Sequence, residues 1–192
     1  MTFLAPPAVA AWAHQGARTG FEVAGIRPTS CGWSFAGCTT AVEGIEAWVV
    51  DYEIDVSTGW ISRGASVTRR VGSVSRSVTV QSDGPGRWLV DGVHRDELDG
   101  CCDVDLESSA LTNAFPVHRL ALQPGQSAEA PAAYIRTSLT VERLEQTYSR
   151  VESEQGHQRF RYRAPAFSFE CELLYDASGL ALSYPGIAVR SL

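Results

Sequence analysis

The chain has 192 residues, of which 44% are apolar and 20% charged, and its formal net charge is −6. This balance excludes a disordered or fibrous chain and suits a single globular domain over residues 1–192. All 16 basic residues are arginine and form no basic stripe with interleaved aromatics, so nucleic acid is not an expected partner.

The opening stretch, Met1 to Trp12, is mildly apolar, contains Pro6-Pro7 and lacks a basic lead. It does not read as a secretory signal. No apolar run reaches the ~20 residues of a membrane-spanning helix, so no transmembrane segment is expected and the expected location is the cytoplasm.

The clearest strand is Ala47 to Val56. Val50, Tyr52, Ile54 and Val56 share one face, and Asp51, Glu53 and Asp55 the other. Such period-two alternation marks a strand with one wet face. Arg76 to Gln81 repeats it with Val78 and Val80. The turn Asp83-Gly84-Pro85-Gly86 and the run Arg87 to Val90, stopped by Asp91-Gly92, complete a predicted hairpin.

Asp103, Asp105 and Glu107 then alternate with Val104 and Leu106. Further strands are expected in Ala132 to Val141, Arg159 to Arg163, Phe167 to Tyr175 and Leu180 to Arg190. In the third of these, Phe167, Phe169, Cys171, Leu173 and Tyr175 share one face, and Asp176 to Gly179 makes the next turn. Val141, Leu144, Tyr148 and Val151 are spaced as on a helix, so periodicity predicts a short helix there, with a strand as the alternative. Short strands at this spacing point to a sandwich, barrel or open curved sheet, and the lack of alternating long helices excludes a parallel α/β fold.

The cysteines are Cys31, Cys38, Cys101, Cys102 and Cys171. Their odd number suggests reduced thiols packed as small hydrophobes. Their spacing matches no zinc site, and no metal or cofactor is expected.

The stretch Asp99-Gly-Cys-Cys-Asp-Val-Asp-Leu106, followed by Leu111-Thr-Asn-Ala-Phe-Pro-Val-His-Arg-Leu120, resembles the signature of the putative glycolipid-binding family. Tyr175-Asp176, Gly179-Leu180 and Tyr184-Pro185-Gly186 extend the resemblance towards the C-terminus. Trp12, Phe21-Glu22, Gly32-Trp33, Gly37, Tyr52, Asp55, Trp60 and Ser62-Arg63 carry it more loosely through the first half. Cys102, Ser109-Ala110 and Phe115 depart from the central pattern. The resemblance implies a mainly β fold, a strongly curved antiparallel sheet forming a roll or half-barrel around an apolar interior. At most one or two short helices are expected, in a shape similar to bacterial lipoprotein carriers. It also pulls Val141 to Val151 towards strand.

Three functional readings follow. The first is a non-enzymatic binding protein that holds a lipid-like or glycolipid ligand in the concave apolar interior. Its ligand-binding candidates are Asn113, His118, Arg119, Trp60, Trp88, Asp103, Asp105 and Tyr184. Asparagine, histidine and arginine would donate to headgroup oxygens, and tryptophan would stack on sugar C–H faces. The second is a structural or protein-interaction domain with a filled core. The third is a hydrolase using Asp103, Asp105 or His118, although no nucleophile elbow or triad order is present.

Each candidate also has a plainer reading. Asp99, Asp103, Asp105 and Glu107 read as a solvated strand face or as partners of Arg119. Thr112-Asn113 reads as a structural loop, and His14, His94 and His157 as surface residues. Trp12, Trp33, Trp48, Phe115, Phe167, Phe169 and Tyr175 read as core. Oligomeric state is left open.

Overall fold

The strands of this protein form where β-branched and aromatic residues alternate with polar ones, so that each strand buries one face. The computed structural model describes residues 3–16, 18–83, 86–154 and 156–191. The first eight strands run in chain order through β1 (Val9–His14), β2 (Arg18–Thr29), β3 (Gly32–Glu43), β4 (Glu46–Ser57), β5 (Ser62–Val71), β6 (Val74–Ser82), β7 (Trp88–Val90) and β8 (Val93–His94). Next come β9 (Asp103–Leu106), the helix α1 (Ala114–Leu120), β10 (Ser127–Glu129), β11 (Ala132–Ile135) and β12 (Val141–Leu144). The chain closes with β13 (Thr147–Glu154), β14 (His157–Ala164), β15 (Phe169–Tyr175), β16 (Ala181–Tyr184) and β17 (Ala188–Ser191).

Fourteen strands form one antiparallel wall in the order β10-β13-β14-β15-β16-β17-β1-β2-β3-β4-β5-β6-β7-β8. The wall curves without closing into a barrel. Strand β4 shows how the sequence drives this: Trp48, Val50, Tyr52, Ile54 and Val56 are buried, while Asp51, Glu53 and Asp55 face outward. Inside the curve lies a second sheet of three strands, β12-β11-β9. All four residues of β9 and all four of β11 are buried. These two strands pair in parallel, with Asp105 opposite Tyr134, an exception to the antiparallel expectation. Helix α1 packs beside this inner layer, with Phe115 against Phe35 of the wall at 5.0 Å.

Several sequence expectations need correction. Val141 to Val151 is not a helix. Val141 and Leu144 belong to β12 of the inner sheet, while Tyr148 points inward from β13 and Val151 does not. The helical spacing arises because two strands of different sheets are joined by a break at Glu145-Gln146. The run predicted from Ala132 to Val141 likewise splits into β11, a turn and β12. Residues 111–120 form a short 3-10 turn and α1 rather than a loop. Pro116 sits in the first turn, where its missing N–H is no loss. Phe167 lies in the 3-10 turn before β15 and is 40% exposed, so it is neither on that strand nor in the core. Cys31 is exposed, unlike the buried Cys101. Gly84 and Pro85 of the predicted turn lie outside the described residues.

One buried carboxylate ties the inner layer to the wall. Glu22, on β2, is fully buried. Tyr52 Oη donates to it at 2.6 Å, the Ala110 N–H donates at 2.7 Å, and the Ser109 hydroxyl also donates. The Tyr52 ring reaches it by lying over Gly37, where an added Cβ would sit 2.2 Å from the ring. Burial pushes the Glu22 pKa up, and the hydrogen bonds from Ser109, Tyr52 and the backbone oppose that shift.

Glu22→Ala leaves three donors unpaired in the core and is expected to cost about 3 kcal/mol, because each orphaned buried group carries its own desolvation penalty. Glu22→Gln keeps an acceptor oxygen and should lose less. Urea unfolding of both variants checks this. An alanine variant as stable as the wild type would show that the contact does not hold the layers together.

Candidate functional site

The central stretch between β9 and α1 folds into a closed polar network. Asp105 Oδ1 accepts from the Thr112 hydroxyl at 2.7 Å, and its Oδ2 accepts from Gln146 Nε2 at 3.0 Å. The Tyr148 hydroxyl donates to Asn113 Oδ1 at 2.9 Å, and the Tyr175 hydroxyl donates to the Asn113 carbonyl at 3.1 Å. Asp103 takes a two-pronged contact from Arg119, with Nε at 3.1 Å and Nη2 at 2.5 Å. Asp103 and Asp105 are only 2% and 8% exposed, which corrects the reading of a solvated face. Their partners come from α1, the 3-10 turn before it and Gln146, so β9 can carry carboxylates between two packed layers.

Burial pushes the pKa of Asp103 up, against the pull of Arg119. Burial raises Asp105 to about 6, against hydrogen bonds from Thr112 and Gln146. Asp105 is therefore a carboxyl that changes charge near neutrality.

A cavity of about 300 Å³ opens beside this carboxyl, between the inner sheet and β14–β16. Asp105, Ser109 and Asn113 form its polar floor. Tyr134, Tyr162, Phe167, Phe169 and Tyr184 form its walls. The rings are mutually braced: Tyr134 and Phe167 lie 5.6 Å apart, Tyr162 and Tyr184 5.9 Å, and Phe169 and Tyr184 6.0 Å. Arg18, Glu107 and Arg136 stand at the rim. Arg136 lies 5.5 Å over the Phe167 ring and pairs with Glu142 at 2.5 Å. Arg18 Nη1 donates to the Glu107 carbonyl at 2.9 Å, while the Glu107 carboxylate accepts from the Thr137 N–H at 2.7 Å. Such a site offers hydrogen-bond acceptors at the bottom, ring faces at the sides and cations at the mouth.

Of the candidates named from sequence, Asp105, Asn113 and Tyr184 come together here. The others lie elsewhere. Asp103 and Arg119 pair with each other behind the floor. His118 is stacked on Trp60 at 3.5 Å and 8° and lies 4.3 Å from Phe3. Its Nε2 is 2.9 Å from the Ser178 carbonyl, and burial lowers its pKa to about 4, so the neutral ring donates a structural hydrogen bond. Trp88 is fully buried and its indole N–H donates to the Cys101 carbonyl at 2.9 Å.

His14 is not a surface histidine. It is half-buried on β1, and burial followed by the charge of Arg18 lowers its pKa to about 4.

Sequence reasoning did not single out Tyr134, Tyr162, Arg18 or Arg136. Tyr162 had a usable signal, since Phe160 and Tyr162 alternate with Arg159, Arg161 and Arg163 as an inward face should. The two arginines had none, because only the topology brings them to one mouth. Among the described residues, no group of three or more His, Cys, Asp or Glu is placed to hold a metal ion. No described helix is long and apolar enough to cross a membrane.

The fold has solved relatives. A DUF1089 family protein from Pseudomonas aeruginosa is 28% identical and superposes with a TM-score of 0.75, covering 88% of this chain and 92% of that one. A beta-barrel-like protein of domain of unknown function DUF1849 from Brucella abortus has the same kind of fold at 9% identity. Its TM-score is 0.53, over 95% of this chain and 92% of that one. No curated protein matches the chain. The family model described as "Putative glycolipid-binding" matches residues 9–190, and the chain belongs to that family.

Proposed function

We propose that this is a binding protein whose cavity takes the polar head of a lipid-like ligand, with a sugar as the best-suited head. The observation that carries this reading is the cavity itself: five aromatic rings around a floor of buried hydrogen-bonding groups. Sugar hydroxyls suit acceptors such as Asp105 and Asn113, and sugar C–H faces suit rings. The family's description points the same way. At about 300 Å³ the cavity has room for about ten waters, at the low end for small-molecule sites. It fits a headgroup and not a whole lipid. The rest of the concave face is covered by the inner sheet and α1, so the apolar part of the ligand would leave through the mouth past Phe167 and Phe169.

Native mass spectrometry of freshly purified protein, followed by organic extraction, tests the reading. A stoichiometric glycolipid is expected, and octyl glucoside is expected to bind in calorimetry. Phe169→Ala should weaken octyl glucoside about tenfold, the loss expected for a ring contact worth ~1.4 kcal/mol. A bare mass with no octyl glucoside binding would sink the idea.

A hydrolytic reading has one observation in its favour, the raised pKa of Asp105 within a cavity that Glu107 also lines. Asp103 and His118 do not share that cavity. If Asp105 titrates near 6 when folded and near 3.8 when unfolded, the native state holds the proton more tightly between those values. Its contribution to stability then falls as pH rises through that window and levels off above it. The stability difference between the wild type and Asp105→Asn should shift by about 2 kcal/mol from pH 4 to pH 7, against the wild type. Urea titrations at several pH values measure this, and a flat difference would remove the case for an acid–base role.

A further inference from the structure

The cavity mouth lies at the same end of the wall as Ile45, the most exposed large apolar side chain among the described residues, whereas Leu4, Val9, Phe21 and Val93, also well exposed, stand outside the turns of that end. The β3–β4 turn carries Ile45, 106% exposed, with Val42 beside it at 50%. The β5–β6 turn carries Val74 at 55%, and the β14–β15 turn carries Phe167 at 40%. Register fixes the neighbourhood. Arg18 at the cavity rim pairs with Glu43, next to the Ile45 turn. The loop after Arg136 carries Leu139, which lines a surface cleft together with Val71 and Val74. Phe167 lines the mouth itself, together with Arg18 and Arg136, and Ile45 and Val74 project from turns at the same end of the sheet.

From this placement we infer that the tip end docks on a lipid surface, holding a ligand by its head while its apolar part stays in the bilayer. The proposal rests on the cavity reading above. The small cavity volume supports it, because the acyl portion has no room inside and must lie where the mouth opens. Shape supports it too: Ile45, Val74 and Phe167 project from three separate turns at that end, so they can enter a soft surface together. A second copy would more naturally use the flat outer face at Phe21 and Val23, which are 57% and 48% exposed. Charge gives the lipid type. At this end Glu43, Glu46 and Asp51 stand against Arg18, Arg69, Arg70 and Arg76, with Arg69 paired to Glu46 and Arg70 to Asp51, so the charges nearly balance and a zwitterionic surface is the one expected.

Flotation of the full chain with phosphatidylcholine vesicles tests the inference. The wild type should float with the vesicles, and added phosphatidylglycerol should not strengthen binding. Ile45→Asp should lower the partition about tenfold, as expected from withdrawing one large aliphatic side chain. Val93→Asp serves as the control. Val93 is 65% exposed but pairs with Val90, which pairs with Val80, six residues along β6 from Val74. It therefore stands about 20 Å from the tips and should not change flotation. A wild type that stays in solution, or an Ile45→Asp protein that floats equally well, overturns the proposal. Light scattering that finds a dimer dissociated by Ile45→Asp also overturns it and assigns the tips to a second copy. Octyl glucoside binding in free solution separates the two claims. If the wild type and Ile45→Asp both bind it, any flotation failure belongs to docking. If the wild type does not bind it, the cavity reading fails and this inference with it.

Discussion

The carboxylate of Glu22 is the contact on which the rest of the interior depends. It is fully buried and receives hydrogen bonds from one wall strand and from the segment that follows β9. An ionisable group in such a place is costly unless every lone pair is used, and here the donors converge from residues 52, 109 and 110. The geometry has little freedom. Tyr52 must cross over a glycine, and Ser109 must turn its hydroxyl back towards β2. Once that segment is fixed, Thr112 and Asn113 fall where Asp105, Tyr148 and Tyr175 can reach them. The polar floor of the cavity is thus a consequence of how the inner layer is attached.

The inner layer also explains why the space between it and β14–β16 is small for a curved sheet of this length. A half-barrel wall with nothing inside it would expose a large apolar concave surface. Here the parallel pair β9–β11, with β12 at its side, covers much of that surface, and α1 adds Phe115 and Val117. Parallel strands are stable mainly when buried on both faces, and β9 and β11 meet that condition at every residue. The space left over lies where the inner sheet ends, against Tyr162, Phe169 and Tyr184 of the opposite wall.

The wall was legible from the sequence because it has one wet face. Alternation in residues 47–56 and 76–81 is the direct image of a strand half in water. The inner layer was not legible for the same reason in reverse. With both faces of β9 buried, Asp103 and Asp105 carry no sign of burial themselves, and their partners Arg119, Thr112 and Gln146 are set by tertiary contacts. Periodicity likewise could not see that Val141 and Tyr148 serve different sheets. The signature residues drew attention to the right stretch, but most of them hold it together: His118, Arg119 and Asp103 pack behind the cavity, and Asp105 and Asn113 line it. The rim arginines, distant in sequence, needed the topology.

The two ends of the roll are packed differently. At one end Trp60, His118 and Phe3 stack in series, the neutral imidazole is fixed to the Ser178 carbonyl, and Trp60 accepts a left-handed backbone at φ 61 to hold its place. A strained residue locked by a ring stack and a buried hydrogen bond resists opening. At the other end the turns of β3–β4, β5–β6 and β14–β15 present exposed side chains, and below them Thr112, Gln146 and Tyr148 each donate to one oxygen of Asp105 or Asn113, which leaves those oxygens further acceptor capacity. The packing thus differs along the roll: stacked rings fix the Trp60 end, while Ile45, Val74 and Phe167 stand exposed on the turns of the other, because those turns reach past the inner sheet that covers the rest of the wall.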